Sequence, residues 1–345
     1  MKKVTAMFLT SAMIVSSVAA VPVHADEAEY PETGKLVIYA GALEDECNAI
    51  GQAFEEYSGI DTEVVVLGGG EILARVQAES SNPTASIWWG GGCDSIMNAK
   101  DQDLMLQYYS PTAEAIPDNL KDADGYWTGV YTGYLGFVCN VQRLEELGID
   151  APDSWDDLLQ EELKGEIMFA APNASSTGYN VLSSIVQLMG EEEGLEYMTK
   201  LDGQMASYTE RGTGWITPVT TGEITVGLCF LQDAVDLMVN EGYGDILTIS
   251  TPEEGTGYEM GAVGIIAGGP DINSAQQFVD WCLTPEAQNI DQEYGHYVFL
   301  TNPDASTPEA AAELAKTTNL IDIDFLWAAD HKSDLLEKWE EATGN

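Results

Sequence analysis

The chain has 345 residues, 45% of them hydrophobic, with 58 acidic against 13 basic residues and a formal charge of −45. Such an acidic excess excludes nucleic-acid binding through phosphates, which needs a basic footprint, and keeps the chain away from anionic membranes. The apolar fraction argues against disorder, so the acidity reads as solubility outside the cell.

In chain order, Lys2 and Lys3 precede a mostly apolar stretch, Ala6 to Val21, which Pro22 ends before Val23-His24-Ala25. This is the grammar of a secretory signal peptide over residues 1–25, too short and too rich in hydroxyls for a membrane anchor. Cleavage leaves 26–345, with 11 basic against 58 acidic residues, or −47. No cysteine lies near the cleavage point, so no lipid anchor is expected.

Strand signals then alternate with helix signals. Lys35 to Gly41 reads as a buried strand, Glu44 to Tyr57 as a helix with Ile50 and Phe54 on one face, and Thr62 to Leu67 as a second strand. Gly68-Gly69-Gly70 stops it, and Glu71 to Ser80 is helical, with Arg75 and Glu79 paired i,i+4. Ser86-Ile-Trp-Trp is a third strand, stopped by Gly90-Gly91-Gly92 before a helix near Asp94. Strand, glycine turn and helix, three times over, predict a parallel sheet with helices on its faces.

Residues 125–140 form a long aromatic extended run, followed by a helix from Val141 and another opened by Pro152-Asp-Ser-Trp. Ile167 to Ala170 reads as a strand, Ser176 to Met189 as a helix, Thr217 to Thr221 as a short helix, and Ile224 to Phe230 as a strand. A second extended run covers 258–267, and helices are expected at 275–282, 310–316 and around Leu335. Two α/β blocks joined by two extended runs predict a chain that crosses between lobes and returns. Ligands of open α/β sheets bind beyond the carboxyl ends of the strands, so the glycine turns are where function is sought.

The five cysteines, Cys47, Cys93, Cys139, Cys229 and Cys282, are far apart and include no CxxC. The last three sit in apolar runs and read as small core residues. Only His296 and His331 remain after export, so neither cysteine nor triad chemistry is signalled, and no catalytic residue, metal ligand or cofactor is expected.

Several ordered segments are similar to type II solute-binding proteins of ABC importers. They are Trp88-Trp-Gly-Gly-Gly-Cys-Asp94 with Asn98-Ala-Lys, Gly125-Tyr-Trp-Thr-Gly129, Leu135-Gly-Phe-Val-Cys-Asn140 and Pro152-Asp-Ser-Trp-Asp-Asp-Leu158. Lys164-Gly-Glu-Ile167, Thr251-Pro-Glu-Glu-Gly-Thr-Gly-Tyr258 and the run Phe278 to Gln288 complete the set. The resemblance covers nearly all of 34–300 and is nearest the branch labelled iron(III), sugar-phosphate or phosphonate binding, with looser similarity to polyamine binders.

It implies an α/β, two-lobed type II periplasmic-binding-protein fold, each lobe a mostly parallel sheet flanked by helices, the two joined by crossover strands near Gly133 and Met260. Lobe 1 is expected over 34–133 plus 260–300, lobe 2 over 134–259, and a C-terminal helical segment over 301–345. It implies a monomer that closes over one small molecule and hands it to permease subunits, in the periplasm or outside the cell. Ligand would favour the closed state because only there does it touch both lobes.

The candidate ligand-binding residues follow from the loops. Gly69, Gly70 and Glu71, and Gly91 with Asp94, place backbone N–H groups at helix starts, which suits an anionic or polar group; turning the chain is the alternative use of those glycines. Asp94 is equally a capping residue. In the second block, Ser175, Ser176 and Thr177 offer hydroxyls before a helix, and Arg211, Gly212 and Thr213 form another glycine-rich loop. Arg211 stands as the fork for a phosphate or carboxylate, with a surface ion pair as its rival. Trp89, Tyr131, Trp215 and Tyr258 are candidate aromatic walls or core, and Asp233 a ligand acceptor or helix cap.

Ferric-ion-binding relatives use paired tyrosines after the strand that here ends at Phe230. Phe230-Leu231-Gln232 stands there instead, which weighs against iron. The expected cargo is an anionic organic solute such as a sugar phosphate or phosphonate. An amine, polyamine or ferric receptor is the alternative within binding, and a secreted hydrolase the alternative outside it.

Overall fold

The continuous apolar stretch Lys35–Gly41 forms strand β1, buried on both faces as a parallel strand between helices must be. The computed structural model describes residues 32–345, so the expected export signal lies outside the described residues. After β1 the chain runs α1 (Glu44–Ser58), β2 (Asp61–Val66), α2 (Gly69–Ala78), β3 (Ile87–Gly92), α3 (Cys93–Asp101) and β4 (Met105–Leu106). The long run becomes β5 (Thr128–Asn140), then α4 (Val141–Leu147), β6 (Ile167–Ala170), α5 (Ser176–Met189), α6 (Glu191–Asp202) and β7 (Met205–Thr209). Next come α7 (Ile216–Thr220), β8 (Val226–Phe230), α8 (Leu231–Asn240), β9 (Leu247–Ser250), β10 (Tyr258–Ile266) and α9 (Ile272–Cys282). The chain ends with α10 (Pro285–Gln288), α11 (Ile290–Glu293), β11 (Phe299–Leu300), α12 (Leu314–Thr317), α13 (Phe325–Asp330) and α14 (Lys332–Thr343).

The strand order is β2-β1-β3-β10-β5-β8-β6-β7. Strands β2, β1 and β3 are mutually parallel, as are β7, β6 and β8, while β10 runs antiparallel to both β3 and β5. This is the two-lobed type II periplasmic-binding fold. Strand β5 belongs to both lobes: Thr128 to Tyr134 pair with β10, and from Leu135 onward the partners are β8 and β9. The return segment is pinned where Leu135 donates its N–H to Gly257 O at 3.0 Å and Thr256 Oγ1 donates to Leu135 O at 2.9 Å.

One core gathers Leu36, Ile38, Phe54, Trp88 and Phe278 around the first sheet, and another gathers Phe137, Trp155, Leu182 and Val226 in the second lobe. Helix α5 reaches the end of β6 because its third residue has no side chain: a Cβ on Gly178 would lie 2.1 Å from Ala170 O. That contact sets the height at which the N-terminus of α5 faces the gap between lobes.

The C-terminal segment is not an appendage. Ile323 sits in the first core, Leu335 and Trp339 are fully buried in the second, and α13 packs on α3 while α14 packs on α6 and α5.

Two expectations need correction. The segment from Pro152 makes two short 3₁₀ turns, Asp156–Leu159 and Glu161–Leu163, in place of a helix. Trp155 is drawn into the core, its indole N–H donating to Gly255 O and its carbonyl accepting from Tyr197, and these anchors interrupt helical winding. Likewise 310–316 divides into a 3₁₀ turn, Glu309–Ala311, and the single turn of α12.

Candidate functional site

The gap between the lobes holds two chambers. The larger, about 700 Å³, is lined by the turns after β1 and β2, by Glu46 and Glu71, by Tyr131, by Gln232, Asp233 and Asp236 at the start of α8, and by Gly295 to Val298. The smaller, about 410 Å³, is lined by Gly92, Cys93 and Asp94 at the start of α3, by Ser176, Tyr179, Asn180 and Ser183 of α5, and by Ile323, Phe325, Ala328, Ala329 and Lys332. Glu259 of β10 and its side chain border both.

The larger chamber is acidic. Glu46, 4% exposed in the first turn of α1, is pushed up to about 7 by loss of water, an effect that His296 partly offsets. Burial also pushes Glu259 up to about 7, although Gln232 Nε2 donates to its Oε1 at 2.8 Å. Asp233 rises to about 6, again from burial and then from neighbouring Asp236. Behind the wall, buried Asp291 is raised well above its ordinary range by burial and by Glu46. Near neutral pH Glu46, Glu259 and Asp233 are poised between carboxylic acid and carboxylate, so they can donate to or accept from a hydroxyl, and when ionised attract an ammonium group. Glu46 Oε1 and Gln232 Oε1 have no hydrogen-bond partner. His296 Nε2 lies 3.4 Å from Asp45 Oδ1, close enough for charge attraction but not aligned as a hydrogen bond.

The glycine loops do less for an anion than their sequence promises. Gly68 N–H donates to Glu71 Oε2 at 3.0 Å, so the first amide before α2 is taken up by the side chain three residues on. Gly90 and Gly91 hold left-handed backbone, φ 72° and 76°, which side chains oppose. Gly91 N–H donates to the hydroxyl of Tyr131 at 3.2 Å, tying that ring to the loop. A Cβ on Gly69 would lie 3.4 Å from Gly92 N, and one on Gly70 would meet nothing.

The remaining candidates divide by position. Glu71, Tyr131 and Asp233 line the larger chamber; Asp94 and Ser176 line the smaller. Ser175 caps α5, its Oγ accepting from Thr177 N at 3.2 Å, and Thr177 packs under Gly212, where a Cβ would lie 2.2 Å from its Oγ1. Arg211 and Thr213 are exposed and line neither chamber.

Three aromatics stand behind the walls, not on them. Trp89 is 2% exposed and meets Tyr131 edge-on, Trp215 is fully buried beside Val138 and Cys229, and Tyr258 is buried against Phe325. Trp89 lies on β3, Tyr258 on β10 and Trp215 at the turn that opens α7, and their size sends all three inward, where a large apolar area is removed from water. Sequence reasoning missed Glu46, Glu259, His296 and Lys332. Nothing local marks them: each is one polar residue in an ordinary element, and only folding sets it beside the gap.

A model of the bacterial extracellular solute-binding protein family matches residues 83–326, and the chain belongs to that family. It is the solute-binding component of an ABC importer. The chain is similar to the periplasmic binding protein AfuA of Actinobacillus pleuropneumoniae, solved with exogenous fructose-6-phosphate bound. The two share 34% identity over 91% of this chain and 99% of that one, with a TM-score of 0.69. A Salmonella typhimurium relative, provisionally named a 2-aminoethylphosphonate-binding periplasmic protein, is 27% identical over 68% of each chain. A Trichodesmium protein solved with iron and citrate shares the fold alone, at 17% identity and a TM-score of 0.73 over 89% of this chain and 99% of that one.

Proposed function

We propose that this receptor captures a small organic phosphate or phosphonate between its lobes and delivers it to the permease. One observation carries the reading: the N-termini of α3 and α5, from opposite lobes, open onto the same chamber. Unpaired backbone N–H groups and aligned peptide dipoles at such ends favour an anion. An anion bridging them touches both lobes and so favours closure. The hydroxyl- or amine-bearing remainder then extends past Glu259 toward Asp233 and Glu46. The relative solved with exogenous fructose-6-phosphate bound and the one named for 2-aminoethylphosphonate support this chemistry.

On this reading the protein is exported by cleavage after Ala25 and works as a monomer, without catalysis, cofactor or nucleic acid. The first lobe comprises 34–133 and 260–300, the second 134–259, and 301–345 spans both. Ser176 and Asp94 meet the ligand, with Tyr131, Glu71 and Asp233 around its polar end. Gly69, Gly70, Gly91, Ser175, Thr177 and Gly212 shape the loops. Arg211 and Thr213 would reach the ligand only on a further closing movement.

Isothermal titration of the purified exported protein tests the reading. Fructose 6-phosphate or 2-aminoethylphosphonate should bind at least a hundredfold more tightly than fructose or ethylamine. A preference for spermidine or ferric citrate over both phosphorus compounds would overturn it. The acidic chamber favours an amine as the second reading, since Glu46 Oε1 is buried there without a donor.

A further inference from the structure

Lysines and arginines are scarce in this chain, and most are occupied. Of the eleven in the described residues, seven pair with carboxylates within 4.0 Å, leaving Lys164, Arg211, Lys316 and Lys332 without such a partner. Of these four, only Lys332 lines the gap between the lobes.

Its placement is controlled. Lys332 Nζ lies over the Tyr179 ring, 5.0 Å from its centroid, and the Tyr179 hydroxyl is fixed by donating to Ala328 O. Lys332 opens α14, where the helix dipole disfavours a cation, so helix stability does not account for a lysine there. The two carboxylates facing the same chamber, Asp94 and Glu259, form no ion pair with it. The segment carrying it is tied to both lobes, through α13 on α3 and α14 on α5 and α6.

We propose that Lys332 is a specificity-determining residue for the anionic end of the solute, and that the C-terminal segment forms a third wall of the site beside the two lobes. This rests on the phosphate or phosphonate reading above. In a chamber that already offers two helix N-termini, the ammonium group adds one charge-assisted contact to a phosphoryl oxygen.

The test is titration of fructose 6-phosphate and 2-aminoethylphosphonate into the wild type, Lys332→Ala, Lys332→Glu and Lys332→Arg at two salt concentrations. Loss of a charge-assisted hydrogen bond should weaken binding by about ten- to a hundredfold in Lys332→Ala, more in Lys332→Glu, with much of it restored in Lys332→Arg. Lys332→Ala should also show a flatter salt dependence than the wild type, which a merely structural role would not produce, and its unliganded melting midpoint should be unchanged. If the wild type binds a probe and Lys332→Ala binds it equally well with the same salt slope, the assignment of Lys332 fails while the function stands. If the wild type binds neither probe, the functional reading fails and this inference falls with it.

Discussion

Glu46 gives the sharpest test of the electrostatics of the cleft. Its carboxyl sits in the first turn of α1, surrounded by Asp45, Asp291, His296 and Tyr131, and burial holds it at about 7 against an ordinary 4.5. A carboxyl raised on folding supplies its full stability below the unfolded value, and that stability is lost as pH rises through the folded value. The wild type should therefore become less stable between about pH 4.5 and pH 7. At about 1.4 kcal/mol per pH unit, ionising this group costs the folded state about 3 kcal/mol by pH 8. Glu46→Gln keeps the shape and removes the charge. It forgoes about 0.5 kcal/mol of favourable interaction with the start of α1, leaving a net gain of about 2–3 kcal/mol at pH 8.

The assay is urea unfolding of both proteins at pH 5 and pH 8. Near pH 5, where the wild-type carboxyl is already mostly protonated, the two should differ by less than about 1 kcal/mol. The general repulsion of an acidic chain acts on both and cancels in the difference. A Glu46→Gln protein that is less stable than the wild type at pH 8 would show that the ionised carboxylate is satisfied in the fold, and would refute the reasoning.

Three further outcomes follow from packing and burial. Gly178→Ala places a Cβ 2.1 Å from Ala170 O, and should cost about 2–3 kcal/mol in urea unfolding as α5 is pushed off β6. Trp339→Ala removes a fully buried side chain of α14 and should cost about 3–5 kcal/mol, read as a lower urea midpoint; a small effect would mean that α14 is not part of the second core. All five cysteines are buried and unpaired, with Cys47 and Cys139 pushed up to about 12 by burial. Ellman's reagent should find no reactive thiol in the native protein and five after denaturation; prompt labelling of the native state would contradict the burial.

Much of the fold was legible because its signals are local. The period of Ile50 and Phe54, the apolar run of β1, the glycine triplet after β2 and the one that ends β3 fixed the alternation of the first lobe, and α5 falls on the expected Ser176–Met189. Helix α6 and strands β7 and β9 escaped notice. Three successive glutamates open α6, strand β7 is a half-exposed edge, and β9 gains its place by pairing with β5. The site was less legible. Glycine triplets announce turns, but whether their N–H groups face a ligand depends on neighbours, and here Glu71 and Tyr131 claim Gly68 and Gly91.

By itself the sequence determined the class of protein: alternating strands and helices, two crossing runs, and a chain too acidic for nucleic acid. Tertiary structure alone decided the inventory of the cleft. It sent Trp89, Trp215 and Tyr258 into the interior and brought Glu46, Glu259, His296 and Lys332 to the gap. The reason is one of range. Hydrophobic period and turn chemistry act over a few residues and are written in them. The environment of a carboxylate or an ammonium is set instead by whatever the fold places beside it, here Glu46 against His296 and Lys332 over Tyr179.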